Sequence, residues 1–192
     1  MGPDRSNGYE AIAEDFIRAR RGGIGPDVVR DWSKRLAPGA TVLDIGCGSG
    51  VPISQCLIEE GFQLFGVDAS PTLVERFRER FPSVPVECCA VEDSGFFGRT
   101  FDAVVAWGLF FLLRPEVQIT LIGKVAQALN PGGQFLFTSP WQIHTWVDNM
   151  TRLPSISLGR DVYERELTAN GLTLTGSAED QGKNYYYFSE RL

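Results

Sequence analysis

Long apolar runs are missing from this chain: no stretch approaches the roughly 18 uninterrupted residues that a membrane span needs. Its opening residues, MGPDRSNGYE, have no apolar core of the kind a secretory signal carries. An excess of basic charge is also lacking. The net charge is −6, whereas nucleic-acid phosphates call for clustered Lys and Arg, so no nucleic-acid partner is expected. Arg18, Arg20 and Arg21 do cluster, but Glu14 and Asp15 stand beside them on one expected helix, which reads as a solvated face. Paired CxxC spacing is absent among Cys47, Cys56, Cys88 and Cys89, so a zinc site is not expected and all four read as small buried residues. Internal repeats and low-complexity linkers are lacking too. These absences leave a water-soluble, cytoplasmic protein as the default expectation.

What is present suits one globular domain. The chain has 192 residues, 43% hydrophobic and 22% charged. A domain of this size can bury roughly 70% of the surface its unfolded chain exposes, without disulfides or metals.

From residue 41 to residue 139, apolar strand-like runs alternate with amphipathic helix-like runs. TVLDI (41–45), QLFGV (63–67), VPVECC (84–89), FDAVVA (101–106) and QFLFTS (134–139) read as strands. Between them the spacing predicts a helix from Pro52 to Gly61, and another opened by Ser70-Pro71 with Leu73, Val74, Phe77 and Phe81 on one face. A third runs from Pro115 to the stop at Pro131-Gly132-Gly133. Residues 90–100 leave room for only a turn or a single helical turn. Strands apolar on both faces and separated by helices indicate an α/β fold with a doubly wound, mostly parallel sheet. A helix over 159–170 and strands over 172–179 and 184–191 then finish the chain. Their four-residue connection demands antiparallel pairing. Two further helices are expected at 9–20 and 26–37.

The most informative segment is Asp44-Ile45-Gly46-Cys47-Gly48-Ser49-Gly50, directly after a strand and before a helix. Glycine gives the positive φ of a tight turn and lets a ligand approach the backbone with no Cβ in the way. At a topological switch point, such a loop is where a cofactor sits. Dinucleotide folds place Gly or Ala three residues after the second glycine, but here that position is Val51. The helix opening at Val51-Pro52 also gives up an N–H that a pyrophosphate would use. DxGxGxG therefore suits a cofactor without phosphates. Asp68, in GVDAS, lies 18 residues after Gly50, near the offset at which a carboxylate grips a ribose diol. A carboxylate there accepts from vicinal hydroxyls and repels a 2′-phosphate.

At these residues the sequence resembles the class I S-adenosylmethionine-dependent methyltransferases, through VLDIGCGSG (42–50), GVDAS (66–70), FDAVVAWG (101–108) and LNPGGQFLF (129–137). The resemblance implies a Rossmann-like seven-stranded sheet whose final strand is reversed, in a single domain spanning 1–192 with residues 1–38 covering the cofactor site. It implies that Gly46, Cys47 and Gly48 pass under the methionine part of S-adenosylmethionine, with Asp44 ordering that loop. Asp68 would hold the ribose, and Ala69 would lie on the adenine. Val91 and Glu92, within AVED where the family more commonly has Asp-Ala, would meet the adenine edge. Ala106 and Trp107 would border the methionine end, and Tyr9 would be a lid residue. The product would be S-adenosylhomocysteine.

The acceptor is expected to be a small molecule, with a small protein or peptide as the alternative; DNA is disfavoured because AWGL replaces the NPPY or DPPY ending of the resembling DNA amino-methyltransferases. His144, the chain's one histidine, follows the fifth strand, where loops line the crevice. As an imidazole, the side-chain type suited to proton transfer at neutral pH, it is the candidate general base. Trp107, Phe110, Phe111, Trp141 and Trp146 could form an apolar acceptor pocket, with Phe110 and Phe111 also read as core. Asp148 and Asn149 could orient a polar acceptor group. Two rival readings stay open: an S-adenosylmethionine-binding protein without catalysis, and a NAD-dependent oxidoreductase. The methylated atom and the oligomeric state are not legible.

Overall fold

The computed structural model describes residues 4–20 and 23–192; Arg21 lies outside the described residues. A 3₁₀ turn at Glu10–Ile12 leads into helix α1 (Ala13–Ala19), and α2 (Pro26–Ser33) follows. The alternating body comprises β1 (Thr41–Ile45), α3 (Ile53–Glu59), β2 (Gln63–Asp68), α4 (Pro71–Arg80), β3 (Val86–Cys88), β4 (Phe101–Ala106), α5 (Pro115–Ala128) and β5 (Leu129–Thr138). The chain ends with β6 (Ile143–Val147), β7 (Pro154–Leu158), α6 (Arg160–Ala169), β8 (Leu172–Glu179) and β9 (Tyr185–Arg191). No described helix is long and apolar enough to cross a membrane.

Seven strands form one sheet in the order β3-β2-β1-β4-β5-β9-β8. Every pairing from β3 to β5 is parallel, and β9 runs antiparallel to both β5 and β8, so β9 is the reversed strand. Successive side chains of a strand point to opposite faces, and the burial follows that alternation. Leu43, Val104 and Phe137 pack with Leu121 and Val125 of α5 and Leu167 of α6. Their neighbours Val42, Val105 and Leu136 pack on the other face with Trp32 of α2, Leu57 of α3 and Phe77 of α4. Both faces are thus buried, as the apolar runs require. Strand order reverses beside β1, and the carboxyl ends of β1, β2 and β4 open there.

Several expected boundaries shift. The helix expected over 26–37 ends at Ser33; Arg35 N–H bonds back to Trp32 and Leu36 N–H to Ser33, the tighter spacing that closes a helix end. The α5 helix stops at Ala128, before Pro131, because Leu129 already pairs with Phe101 of β4 and residues 130–133 bulge out before Gln134 rejoins Ala103. The third strand is three residues long, and it lies at the sheet edge. That position also corrects the reading of its cysteines: Cys88 is exposed and Cys89 half-buried, while Cys47 and Cys56 are buried. Residues 90–100 hold one 3₁₀ turn, Phe96–Gly98, as the short connection allows. The separate β6–β7 hairpin, antiparallel from Ile143↔Leu158 to Val147↔Pro154, stands in a stretch read from sequence as a loop.

Candidate functional site

The loop after β1 must turn the chain within seven residues, from Ile45 to the start of α3 at Ile53. Gly46, Gly48 and Gly50 adopt φ of +75°, +54° and +83°, values that favour glycine. Gly46 and Cys47 donate their N–H groups to Val67 O at 2.7 and 3.1 Å, which ties the loop to the end of β2. A Cβ on Gly48 would meet nothing closer than Phe16 at 3.8 Å, so this stretch of backbone is bare toward the crevice. Gly50 serves packing instead. A Cβ there would lie 2.5 Å from the Phe81 ring, so α4 aromatics can approach only because the side chain is absent.

Asp68 closes β2 and faces this loop. Its Oδ2 accepts from Gly48 N at 2.8 Å and its Oδ1 from Ser70 N at 2.9 Å. Each carboxylate oxygen has two lone pairs, so one on each oxygen is left beyond these two bonds. Burial raises the Asp68 pKa, opposed by hydrogen bonds from the Ser70, Gly48 and Ala69 backbone N–H groups. Ser70 caps α4, its Oγ accepting from Leu73 N at 3.2 Å, as its position before Pro71 predicts.

Asp44 is 2% exposed and accepts from Ser54 Oγ at 2.6 Å. Burial pushes its pKa up to about 7, the Ser54 bond lowers it and the nearby Asp68 charge raises it further. The bond to Ser54 fastens β1 to α3. Asp68 and Val67 O accept from N–H groups of the glycine loop and Arg80 donates to Ser49 O at 2.7 Å, whereas Asp44 accepts from Ser54, so among the described residues Asp68 orders the loop more than Asp44 does.

The N-terminal segment folds over the opening. Glu10 accepts from Ser70 Oγ, from Thr72 N at 3.1 Å and from Thr72 Oγ1 at 2.7 Å, placing a carboxylate at the N-terminus of α4. Burial alone would raise the Glu10 pKa; these bonds outweigh it and lower it. Arg5 pairs with Glu92 and Asp93 at 3.2 Å each, exposed contacts worth about 0–1 kcal/mol. Tyr9 packs edge-on against Phe16, with ring centroids 5.1 Å apart, and its hydroxyl donates to Asp148 at 3.4 Å. Burial and the Asp148 charge raise the Tyr9 pKa to about 12.

Together these elements enclose a crevice of about 710 Å³, part of it open to solvent. Of the residues singled out in the sequence, Gly46, Gly48, Asp68, Ala69, Val91, Glu92, Trp107 and Tyr9 all line it. Cys47 and Asp44 line a smaller adjoining cavity. Ala106 is fully buried beneath, in the sheet.

Of the acceptor-side residues only Trp107 lines a cavity; Phe110, Phe111, Trp141, His144, Trp146 and Asp148 line neither. His144 lies exposed on β6, stacked on Trp146 at 5.5 Å, and lines neither cavity. Trp141 is 52% exposed. Phe110 is fully buried, while Phe111 is half-buried against Trp146 at 5.3 Å. Asp148 stands behind Tyr9, and its Oδ1 holds the 148–151 turn through Met150 N and Thr151 N at 2.9 and 2.7 Å. Asn149 is exposed. Residues 143–147 pair with β7 in a separate hairpin, whose Trp146 packs on Phe111 outside both cavities.

Sequence reading missed Arg20. Its guanidinium lies 4.3 Å from the Trp107 ring and 4.8 Å from Phe16, and it lines both cavities. Burial lowers its pKa to about 10. The contacts with Leu109, Leu112 and Leu113, which line the apolar part of the larger crevice, were also missed.

Comparison with known proteins agrees with this arrangement. A family model described as a methyltransferase domain matches residues 42–133. The cypemycin N-terminal methyltransferase of a Streptomyces species is 36% identical over 104 residues, covering 53% of this chain and 42% of that protein. The chain spans about half the length of the curated relatives it matches. Among solved structures, the S-adenosylmethionine-bound amino pentose methyltransferase CalS10 from Micromonospora echinaspora superposes with a TM-score of 0.74 at 17% identity, covering 93% of this chain and 96% of that one. The 1,6-didemethyltoxoflavin-N1-methyltransferase of Burkholderia thailandensis, solved with its acceptor and S-adenosylhomocysteine, gives 0.74 at 18% identity, covering 100% and 91%. The matched segment runs through the glycine loop and both carboxylate positions, so the chain is similar there to S-adenosylmethionine-dependent methyltransferases in sequence, and over nearly its whole length to the neighbours above in fold.

Proposed function

We propose that this protein binds S-adenosylmethionine in the crevice beside β1, β2 and β4 and transfers its methyl group to a small organic acceptor, releasing S-adenosylhomocysteine. The observation that carries the reading is Asp68: both oxygens are oriented by backbone N–H groups, each has a lone pair to spare, and the bare Gly48 backbone lies beside them. That combination fits a ribose diol over a glycine floor. Ala69, Val91 and Glu92 would hold the adenine, and Gly46 and Trp107 the methionine end.

When bound, the cofactor supplies an activated methyl carbon on a sulfonium. The chain's own contribution is then alignment and exclusion of water, and ideal alignment can supply about 7–11 kcal/mol. Leu109, Leu112 and Leu113 would keep the acceptor end dry. Tyr9, held by Asp148, keeps a lone pair with which to accept a hydrogen bond from an acceptor N–H or O–H. Neither histidine nor lysine lines the crevice among the described residues, which favours acceptors that need little help in losing a proton. The three proteins compared above are named for an N-terminus, an amino pentose and an N1 position, so amines head the panel to be tested.

The test is a panel of small amines, phenols and carboxylic acids with methyl-labelled S-adenosylmethionine, scored by label transfer and S-adenosylhomocysteine release. Transfer to at least one small acceptor is expected. Tight cofactor binding with no transfer across the panel would instead favour a non-catalytic binding protein.

A further inference from the structure

Methyl transfer to an N–H or O–H acceptor leaves one proton to place. The ionisable side chains lining the crevice are Arg5, Tyr9, Arg20, Asp68, Cys89 and Glu92. The two guanidinium groups have no lone pair to offer. Glu92 pairs with Arg5, and Asp68 is held by Gly48 N and Ser70 N and faces the ribose in the reading above. Burial pushes the Cys89 thiol up, away from the thiolate. Tyr9 is left. Its phenol is no base by itself, because burial and then the Asp148 charge raise its pKa to about 12. Such a phenol takes up a proton only if it passes its own hydroxyl proton on.

Asp148 is placed to receive that proton. Its Oδ1 is filled by Met150 N, Thr151 N and Thr151 Oγ1, at 2.9, 2.7 and 3.2 Å. Its Oδ2 takes one donor, the Tyr9 hydroxyl at 3.4 Å. That bond is long, and catalytic hydrogen bonds of this kind often shorten when a substrate seats. The residue is 9% exposed, and among the described residues no lysine or arginine nitrogen lies within 4.0 Å of its carboxylate. The backbone holds both partners in place. Asp148 N donates to Leu153 O at 2.8 Å and Arg152 N to Asp148 O at 3.0 Å, which fixes the turn. A Cβ on Gly8 would lie 3.1 Å from Leu153 and 3.3 Å from Thr151, so the segment carrying Tyr9 packs directly on that turn. On its other side Tyr9 meets Phe16, and Arg20 lies over both Phe16 and Trp107. Tyr9 therefore stands toward the Trp107 end of the crevice, where the methyl group would be presented. Arg20 is the second charged group that faces it.

We infer that Tyr9 and Asp148 form a proton relay: the acceptor N–H or O–H donates to Tyr9 Oη, Tyr9 Oη–H donates to Asp148 Oδ2, and Asp148 ends with the proton. The relay presupposes the methyl-transfer reading above and adds to it where the proton goes. For an acceptor X–H, a lone pair on X forms the bond to the methyl carbon, and the carbon–sulfur bond breaks with its pair left on sulfur. The X–H bond then breaks with its pair left on X. Its proton bonds to Tyr9 Oη while the former Tyr9 hydroxyl proton bonds to Asp148 Oδ2. The positive charge of the sulfonium and the negative charge of the carboxylate vanish together, so no net charge is added. Asp148 returns the proton to solvent once the products leave. Tyr9 is the catalytic residue. Asp148 touches no ligand; it positions the hydroxyl and receives its proton. A carboxylate acceptor has no proton to lose and does not need the relay.

The experiment compares wild type, Tyr9→Phe and Asp148→Asn on the amines, phenols and carboxylic acids of the panel above, at about pH 8, where the acids are ionised. The Asp148→Asn carboxamide oxygen can still accept from Met150 N and Thr151 N. For N–H and O–H acceptors, kcat should fall about tenfold or more in both variants, the scale of general base catalysis, while KM moves by less than about threefold. Carboxylates should be slowed by a much smaller factor. The acid limb of the wild-type kcat profile, where Asp148 takes up a proton, should be missing from Asp148→Asn. With no acceptor present, tyrosinate absorbance after a rapid pH jump, taken as the difference from Tyr9→Phe, should place Tyr9 near 12 in the wild type and lower in Asp148→Asn. An unmoved Tyr9 midpoint overturns the relay. So does transfer confined to carboxylates, equal slowing of both kinds of acceptor, or wild-type rates on N–H and O–H acceptors in both variants; methyl transfer itself then stands. No transfer to any panel member overturns both.

Discussion

Two regions of this molecule carry residues that sequence reasoning assigned to chemistry, and they behave differently. At the ends of β1 and β2, Gly46, Gly48 and Asp68 converge within hydrogen-bonding distance, because parallel pairing of Asp44↔Gly66 and Ile45↔Val67 brings both strand ends to the same edge. After β5, by contrast, the chain pairs locally into the β6–β7 hairpin, where His144 stacks on Trp146, and Trp141, His144 and Trp146 line neither cavity. A position shortly after a strand end is therefore not enough to place a residue in the crevice. Long-range register decides, and it holds rigidly only where both faces of the strand are buried.

Mutations can break or sharpen that contrast. The largest effect belongs to Asp68→Ala, which removes the carboxylate offered to the ligand and also the acceptor of Gly48 N and Ser70 N. Affinity for S-adenosylhomocysteine by calorimetry should fall about a hundredfold or more, the scale of two charge-assisted bonds. A fall of less than threefold would place the ligand elsewhere.

Asp44 gives a middle-sized effect, read through pH. Its native pKa, near 7 against a reference value of 3.8, means that the folded chain holds this proton more tightly than the unfolded chain. Raising the pH from about 4 to about 7 therefore costs stability at this residue, and the favourable contribution is fully present only below that window. Asp44→Asn removes the penalty. In urea denaturation it should stand on the order of 1 kcal/mol or more higher, relative to wild type, at pH 8 than at pH 4. An identical difference at both pH values would show that Asp44 is not titrating in this range. Arg20 and Asp68, the charged groups nearest the same cavities, remain in both proteins.

The smallest effect is expected at His144. His144→Ala should keep turnover of any identified acceptor within about twofold, since the ring stacks on Trp146 and lines neither cavity. A drop of tenfold or more would return β6 to the reaction and erase the contrast between the two regions.

The parts legible in the sequence share one property: their signals are local. TVLDI and FDAVVA, apolar on both faces, could only be strands of a covered sheet. Gly46, Gly48 and Asp68 were singled out by residue type at short spacing, and the structure brings all three to the crevice. The closing hairpin followed from its four-residue turn. Arg20 was not legible, because beside Arg18 and Glu14 it looks like a member of a solvated charged face, and only the fold turns it onto Trp107. The Trp107–Tyr186 contact spans 79 positions, beyond any local pattern. The β6–β7 hairpin was missed because IHTWV and PSISL mix polar and apolar residues and the connection between them, residues 148–153, contains no glycine or proline. Gly50 was legible as a glycine but not in its purpose, which depends on where the Phe81 ring comes to rest.

The most direct test of the account is a pair of titrations into the wild-type protein, one with S-adenosylhomocysteine and one with NADH. Saturable binding of about one S-adenosylhomocysteine per chain, with no heat from NADH, is the predicted result. Saturable binding of NADH, or no binding of S-adenosylhomocysteine at any concentration tested, would contradict the claim that the Gly46–Gly48 floor and Asp68 hold an S-adenosyl nucleoside.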